Sequence, residues 1–167
     1  ISGDVGFGKT EVAIRAMFKA FLSNKVSVLL CPTTILADQH FITCKERLSQ
    51  FGVSISLLSR FKTKKEQLKT LSLVEQGQVD ILIGTHRLLS KDVQISNLGL
   101  LVIDEEHRFG VNHKEKIRSF KNNVDILTLT ATPIPRTLQQ ALVGLKNLTT
   151  IKTPPTSRKP INTFVKY

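Results

Sequence analysis

Cysteine, long apolar runs and acidic residues are all scarce in this sequence, and each shortage excludes something. Among 167 residues only Cys31 and Cys44 are cysteines. A disulfide-stapled scaffold is therefore excluded, and a cysteine inside an apolar strand pattern points to buried thiols in a reducing cytoplasm. No apolar stretch approaches the roughly 20 residues that a membrane span needs; the longest, such as 26–31 and 98–103, have the length of a strand. Nor is there a basic-then-apolar leader with a small-residue cleavage site, so the expected location is cytoplasmic, with no membrane partner. Asp and Glu number 13 against 24 Lys and Arg, a formal charge of +11. That surplus favours a polyanionic partner, most simply nucleic acid; a lysine-rich composition without a binding role, or the loss of an acidic counterpart, is the alternative. Internal repeats and low-complexity tracts are absent, and His40, His86 and His113 have no metal-like spacing with one another or with the cysteines, so no zinc site is expected.

What remains is a chain that can bury a core. At 41% apolar and 22% charged residues it fits one α/β domain. Continuous Val/Ile/Leu runs at 26–31, 53–58, 79–83, 100–104 and 124–130, with a short one at 148–151, predict strands buried on both faces of a sheet. Between them lie helical patterns. Residues 9–22 place Val12, Ala13, Ala16, Met17, Ala20 and Phe21 on one stripe; residues 36–51 run to Gly52, a natural C′ residue. Thr63-Lys64-Lys65-Glu66 is a capping box for a helix reaching about Gln76 and closed by Gly77. Strands alternating with helices predict parallel pairing and right-handed crossovers. The chain opens on a glycine-rich loop with no room for the strand that should precede it, so the first strand is expected to be truncated. The expected organisation is one domain over 1–152, then a proline-rich linker and the start of a further segment over 153–167.

Two stretches carry chemistry. Gly3-Asp4-Val5-Gly6-Phe7-Gly8-Lys9-Thr10 matches G-x-x-x-x-G-K-[ST] in full. Its glycines let backbone N–H groups curl around phosphate oxygens, and the helix that follows adds its positive dipole end. Lys9 would reach the β- and γ-phosphates of ATP, and the Thr10 hydroxyl would ligate Mg²⁺. Asp104-Glu105-Glu106-His107 ends an apolar strand, which delivers its acids to the carboxyl edge of the sheet, where ligands bind in such folds. Asp104 would hold Mg²⁺ through its water shell, and Glu105 would polarise the attacking water; Glu106 receives no role. Pro32-Thr33-Thr34 and Gly84-Thr85-His86-Arg87 also follow strands at that edge. Their side chains and amides suit a nucleic-acid backbone, or, on the plainer reading, simply cap helices. Thr130-Ala131-Thr132-Pro133 likewise reads as a strand end and a proline-started helix.

Together, in this order, these five stretches resemble the first motor lobe of the superfamily-2 helicases. Asp104-Glu105-Glu106-His107-Arg108-Phe109-Gly110-Val111 and Ala131-Thr132-Pro133-Ile134-Pro135-Arg136-Thr137-Leu138 resemble the branch that holds the transcription-repair coupling factors and the RecG-type fork-remodelling helicases. Gly6-Phe7-Gly8, the second glutamate at Glu106, Ser59-Arg60-Phe61 and Thr163-Phe164-Val165 resemble the coupling factors more. The resemblance implies a RecA-like P-loop lobe that uses ATP and Mg²⁺ and tracks double-stranded DNA beside a second motor lobe. It implies RNA polymerase and excision-repair proteins as partners reached through parts outside this chain. It further implies that Thr33, Thr34, Arg60, Thr85, His86 and Arg87 face the DNA, and that His107, Thr130 and Thr132 relay nucleotide state to DNA grip. The pattern's adenine contacts, second lobe and arginine finger are not in these residues, so little ATP turnover is expected of them alone.

Overall fold

A computed structural model of the chain describes residues 1–119, 124–131 and 147–156. Its centre is a five-stranded, wholly parallel sheet of β2 (Val26–Leu30), β3 (Ile55–Leu58), β4 (Ile81–Gly84), β5 (Leu98–Asp104) and β6 (Asp125–Leu129), in the spatial order β3-β4-β2-β5-β6. At its edge β1, only Ser2–Gly3, pairs in parallel with β7, Thr150–Ile151. A bridge between Ser2 and Thr130 and the bonds from Thr130 N to the Ile1 carbonyl (3.0 Å) and from Gly3 N to the Thr130 carbonyl (3.2 Å) carry the sheet onward from β6 to β1. The glycine-rich loop thereby leaves from a strand end in line with the others.

Side chains alternate across a strand, which divides the apolar runs between two cores. Leu29, Cys31, Ile81, Ile83 and Val102 pack with Ala13, Ile14 and Met17 of α1 (Lys9–Leu22) and Ala37, Cys44 and Leu48 of α2 (Thr34–Leu48). Val28, Leu30, Leu82, Leu101 and Ile103 pack on the opposite face with Leu71 and Val74 of α3 (Lys64–Glu75) and Ile117 of α4 (Val111–Ser119). Helices cover both faces, as the unalternating strands require. The α1 stripe is rotated from its predicted position: Val12 is exposed and Ile14 takes its place in the core. The predicted 36–51 helix starts earlier, at Thr34, and finishes as a 3₁₀ turn, Ser49–Phe51, before Gly52 at φ 74°.

The capping box at α3 forms as read. Thr63 Oγ1 accepts from Glu66 N at 3.2 Å, and Glu66 Oε2 accepts from Thr63 N at 2.8 Å. The Thr63 hydroxyl also donates to Glu66 Oε2 at 2.7 Å, and that bond, then the one from Thr63 N, holds the Glu66 carboxyl below its usual range. Thr63→Ala is expected to cost about 1 kcal/mol in a denaturant melt. Both cysteines are free and buried. Burial pushes the Cys44 thiol up to about 12, and burial followed by the nearby Asp104 and Cys44 raises Cys31 further still, consistent with thiols that serve packing.

Candidate functional site at the carboxyl edge of the sheet

Parallel strands end side by side, so the loops after β1 to β6 share one ledge. Its order is fixed by hydrogen bonds. Glu105, just beyond β5, donates its N–H to the Leu129 carbonyl at 2.9 Å, and Gly3 donates to Thr130 at 3.2 Å. At about 4.8 Å per strand, the acids and the start of the glycine-rich loop lie two strands, roughly 10 Å, apart.

The loop curls at Gly6 (φ 79°) and Gly8 (φ 83°), the left-handed region that favours glycine. Phe7 N donates to the Asp4 carbonyl at 3.2 Å, and Val5 N to Asp4 Oδ1 at 2.7 Å. Among the described residues the amides of Gly6, Gly8, Lys9 and Thr10 have no protein acceptor. They are the donors a helix N-terminus offers to an anion, with the α1 dipole behind them. The Lys9 ammonium folds back over this cradle and donates to the carbonyls of Gly3 (2.6 Å) and Asp4 (3.0 Å). This donor set, amides and one ammonium around a concave turn, fits a polyphosphate.

The acids are held differently from one another. Asp104 is buried, and its Oδ2 lies 3.0 Å from Nε2 of His40, itself buried on α2. Glu105 adopts φ 51°, ψ 56°, a left-handed conformation uncommon for a side-chain-bearing residue. Its Oε1 accepts from Ala131 N at 3.0 Å. Its Oε2 lies 3.3 Å from His107 Nδ1, within ion-pair reach but without hydrogen-bond alignment, and stays buried without a hydrogen-bond partner. A buried carboxylate oxygen left open costs free energy unless something else meets it. With His107 as its close polar neighbour, that oxygen sits on the ledge that also carries Asp104 and the amide cradle, a set of groups that suits a hydrated cation.

The residues expected to face DNA follow β2, β3 and β4, the other half of the ledge. Thr33 is exposed and caps α2, its Oγ1 accepting from Leu36 N at 3.3 Å; Thr34, half-buried, begins the helix. A single threonine thus caps a helix and keeps an exposed hydroxyl. Arg60 is exposed beside the Phe61 ring. His86 is exposed and lies 5.5 Å, ring to ring, from His113 of α4. Partial burial and then the neighbouring His113 and Arg60 lower the His86 pKa. Two other residues of this group have different surroundings. The Thr85 side chain is buried, its hydroxyl without a hydrogen-bond partner. Arg87 is clamped, its fork on Asp92 at 2.8 and 2.6 Å and its Nε on Gln67 at 3.1 Å. The preceding Gly84 is explained by packing, since a Cβ there would meet the Leu58 carbonyl at 2.1 Å. Of the relay residues, His107 is exposed beside Glu105 and Thr130 bridges to Ser2; Thr132, with the rest of the 132–138 stretch, lies outside the described residues. Sequence reasoning missed His40 and His113. For His40 a signal exists: it shares the buried stripe Ala37, His40, Cys44 and Leu48, and a histidine there needs a polar partner.

A glycine-rich curl of open amides and a strand-end acid pair stand on one edge of a parallel sheet, the layout of a P-loop-type lobe, and residues 1–141 match the DEAD/DEAH box helicase family. The chain belongs to that family. It is 60% identical over 165 residues to the transcription-repair-coupling factor of Bacillus subtilis (strain 168) and 56% identical over 165 residues to that of Staphylococcus aureus (strain USA300). These matches cover 99% of this chain but 14% of each relative's length. Among solved structures, RecG bound to a three-way DNA junction matches with a TM-score of 0.79 at 39% identity, over 96% of this chain and 21% of that one. The C-terminal domain of S. cerevisiae Dbp5 matches at 0.56 with 13% identity, over 92% of this chain and 88% of that one, and shows the fold alone. The lobe is RecA-like, as expected. Among the described residues no helix is long and apolar enough to cross a membrane, and no cluster of three or more His, Cys, Asp or Glu could hold a metal.

Proposed function

We propose that this lobe binds and hydrolyses ATP with Mg²⁺ as half of a double-stranded DNA translocase. In the full-length protein that translocase displaces stalled RNA polymerase and hands the lesion to excision-repair proteins. The observation that carries the nucleotide reading is the open amide cradle and the Glu105 carboxylate, its Oε2 without a hydrogen-bond partner, on one ledge. The loop residues Gly3, Asp4, Val5, Gly6, Phe7, Gly8, Lys9 and Thr10 surround the phosphates. Lys9 exchanges its carbonyl partners for phosphate oxygens, and Thr10 and Asp104 hold Mg²⁺. The bound cation supplies charge neutralisation at the transferred phosphoryl group. Glu105 Oε2 accepts the proton of the attacking water while Oε1 stays on Ala131. His107, Thr130 and Thr132 carry the nucleotide state across the ledge. Residues 153–167 form the linker and the start of the second lobe.

On the β3-β4-β2 half, Thr33, Thr34, Arg60 and His86 meet the DNA backbone. Thr85 and Arg87 support that surface from behind, given the burial of one and the clamp on the other. Phosphate contacts make binding salt-dependent. Raising salt from about 50 to 200 mM is expected to weaken duplex binding by the full-length protein by well over tenfold; a flat response contradicts the DNA track. An arginine supplied by a second lobe is worth roughly 10³–10⁵ in related phosphoryl-transfer machines. Residues 1–167 alone are therefore expected to hydrolyse ATP negligibly, and robust DNA-stimulated turnover by them would refute this.

The 39% identity to RecG favours a second reading, an ATP-dependent fork-remodelling helicase. The two separate in one comparison on the full-length protein. Displacement of stalled polymerase supports the first reading, and branched-DNA unwinding without it supports the second.

A further inference from the structure

We propose that His40 is a positioning residue for the cation-binding carboxylate, holding Asp104 so that Oδ1 faces Mg²⁺. The inference rests on the reading of Asp104 as a cation ligand. A carboxylate can only accept, so in this 3.0 Å bond the His40 Nε2–H donates to Asp104 Oδ2. Among the described residues His40 is the one hydrogen-bond partner of the Asp104 side chain. The rotation of the carboxylate about its last bond therefore depends on this contact.

Packing alone does not call for a histidine here. Its neighbours on the stripe, Ala37, Cys44 and Leu48, are apolar and buried; any apolar side chain would serve the core, whereas a buried ring nitrogen costs free energy unless paired. What the histidine adds is the bond to the acid. That bond also ties β5 to the helix whose first turn follows Thr33, with His40 about 9 Å further along the axis than Thr34. It spans the two halves of the ledge, from the acidic strand to the helix that starts beside β2.

The test uses the full-length protein and a fluorescent ATP analogue, mant-ATP, titrated across Mg²⁺ concentrations and again in EDTA, with thermal melting alongside. In His40→Leu the half-saturating Mg²⁺ for mant-ATP is expected to rise by about 10-fold or more, the range seen when an outer partner of a metal ligand is lost. Binding in EDTA stays unchanged. His40→Gln, which presents a donor at similar reach, restores most of the Mg²⁺ response. Unchanged Mg²⁺ dependence in a folded His40→Leu overturns the proposal, as does an equal loss with and without Mg²⁺, which marks a purely structural residue. Should His40→Leu not fold, His40→Gln is compared with His40→Asn, which is too short to reach Asp104. A higher Mg²⁺ requirement in Asn alone supports the proposal, and equal requirements overturn it. If the unsubstituted protein binds mant-ATP with no Mg²⁺ dependence, the reading of Asp104 itself fails, and the inference with it.

Discussion

Glu105→Gln is expected to lower DNA-stimulated ATP turnover in the full-length protein by about 10²–10⁴-fold, the contribution of a positioned general base, while nucleotide binding survives. Two observations separate these effects. Oε1 is engaged in structure, accepting from Ala131 N, and a glutamine carbonyl can accept the same bond. Oε2 is buried and without a hydrogen-bond partner, so it is the oxygen available to a proton in transit. The left-handed backbone at φ 51° is maintained by the bond from Glu105 N to Leu129 and does not depend on the side chain's charge. Single-turnover hydrolysis and mant-ATP binding, measured together, check the split. Unchanged turnover would place the base elsewhere; lost turnover with the protein's DNA-linked function intact would favour a nucleotide-gated DNA-binding module that does not step.

Lys9→Ala is expected to fail earlier in the cycle. The ammonium is the cation that the loop brings over its own cradle, held by the Gly3 and Asp4 carbonyls at 2.6 and 3.0 Å. Those carbonyls are weaker partners than phosphate oxygens, so the side chain can move onto a nucleotide. A charge-assisted bond of this kind contributes about 1.5–3 kcal/mol, and one preorganised donor at a developing charge about 10²–10³ in rate. Nucleotide affinity is therefore expected to fall by roughly one to two orders of magnitude, with turnover falling further. The melting temperature should barely change, because Lys9 makes its bonds to a surface loop. Lys9→Arg should not rescue, since a planar fork cannot occupy the place of a compact ammonium inside the curl. Full affinity in Lys9→Ala would remove the loop from the site.

Elements whose cause is local were legible in the sequence. The α3 capping box and the Gly52 and Gly77 stops depend on residues within one turn of each other, and they stand where the spacing put them. Lys9–Leu22 was legible in its bounds but not in its face, because an Ala-rich helix offers several stripes and only packing against β2 and β5 selects the one with Ile14. The α4 helix escaped notice since Val111–Ser119 carries little apolar periodicity; it is held by Ile117 in the core and by Lys116 Nζ on the Leu89 carbonyl. The glycine-rich loop and the acid pair were readable from spacing and strand ends, and both stand at the carboxyl edge of the sheet. The partners that orient them were not. His40 meets Asp104 across 64 residues and Ala131 meets Glu105 across 26, and contacts at that separation follow from strand order. Arg87 is clamped partly from close by, on Asp92 five residues on, and partly across 20 residues by Gln67 of α3; the burial of Thr85 shows only in the folded structure.

The most direct test is a crystal structure of the full-length protein with Mg²⁺ and a non-hydrolysable ATP analogue. The account predicts the β- and γ-phosphates on the amides of Gly6, Gly8, Lys9 and Thr10, the Lys9 ammonium transferred from the Gly3 carbonyl to phosphate, and the cation between Thr10 and Asp104 with Glu105 facing the γ-phosphate. A triphosphate bound away from that curl, or a cation out of reach of the Asp104 side, would contradict it.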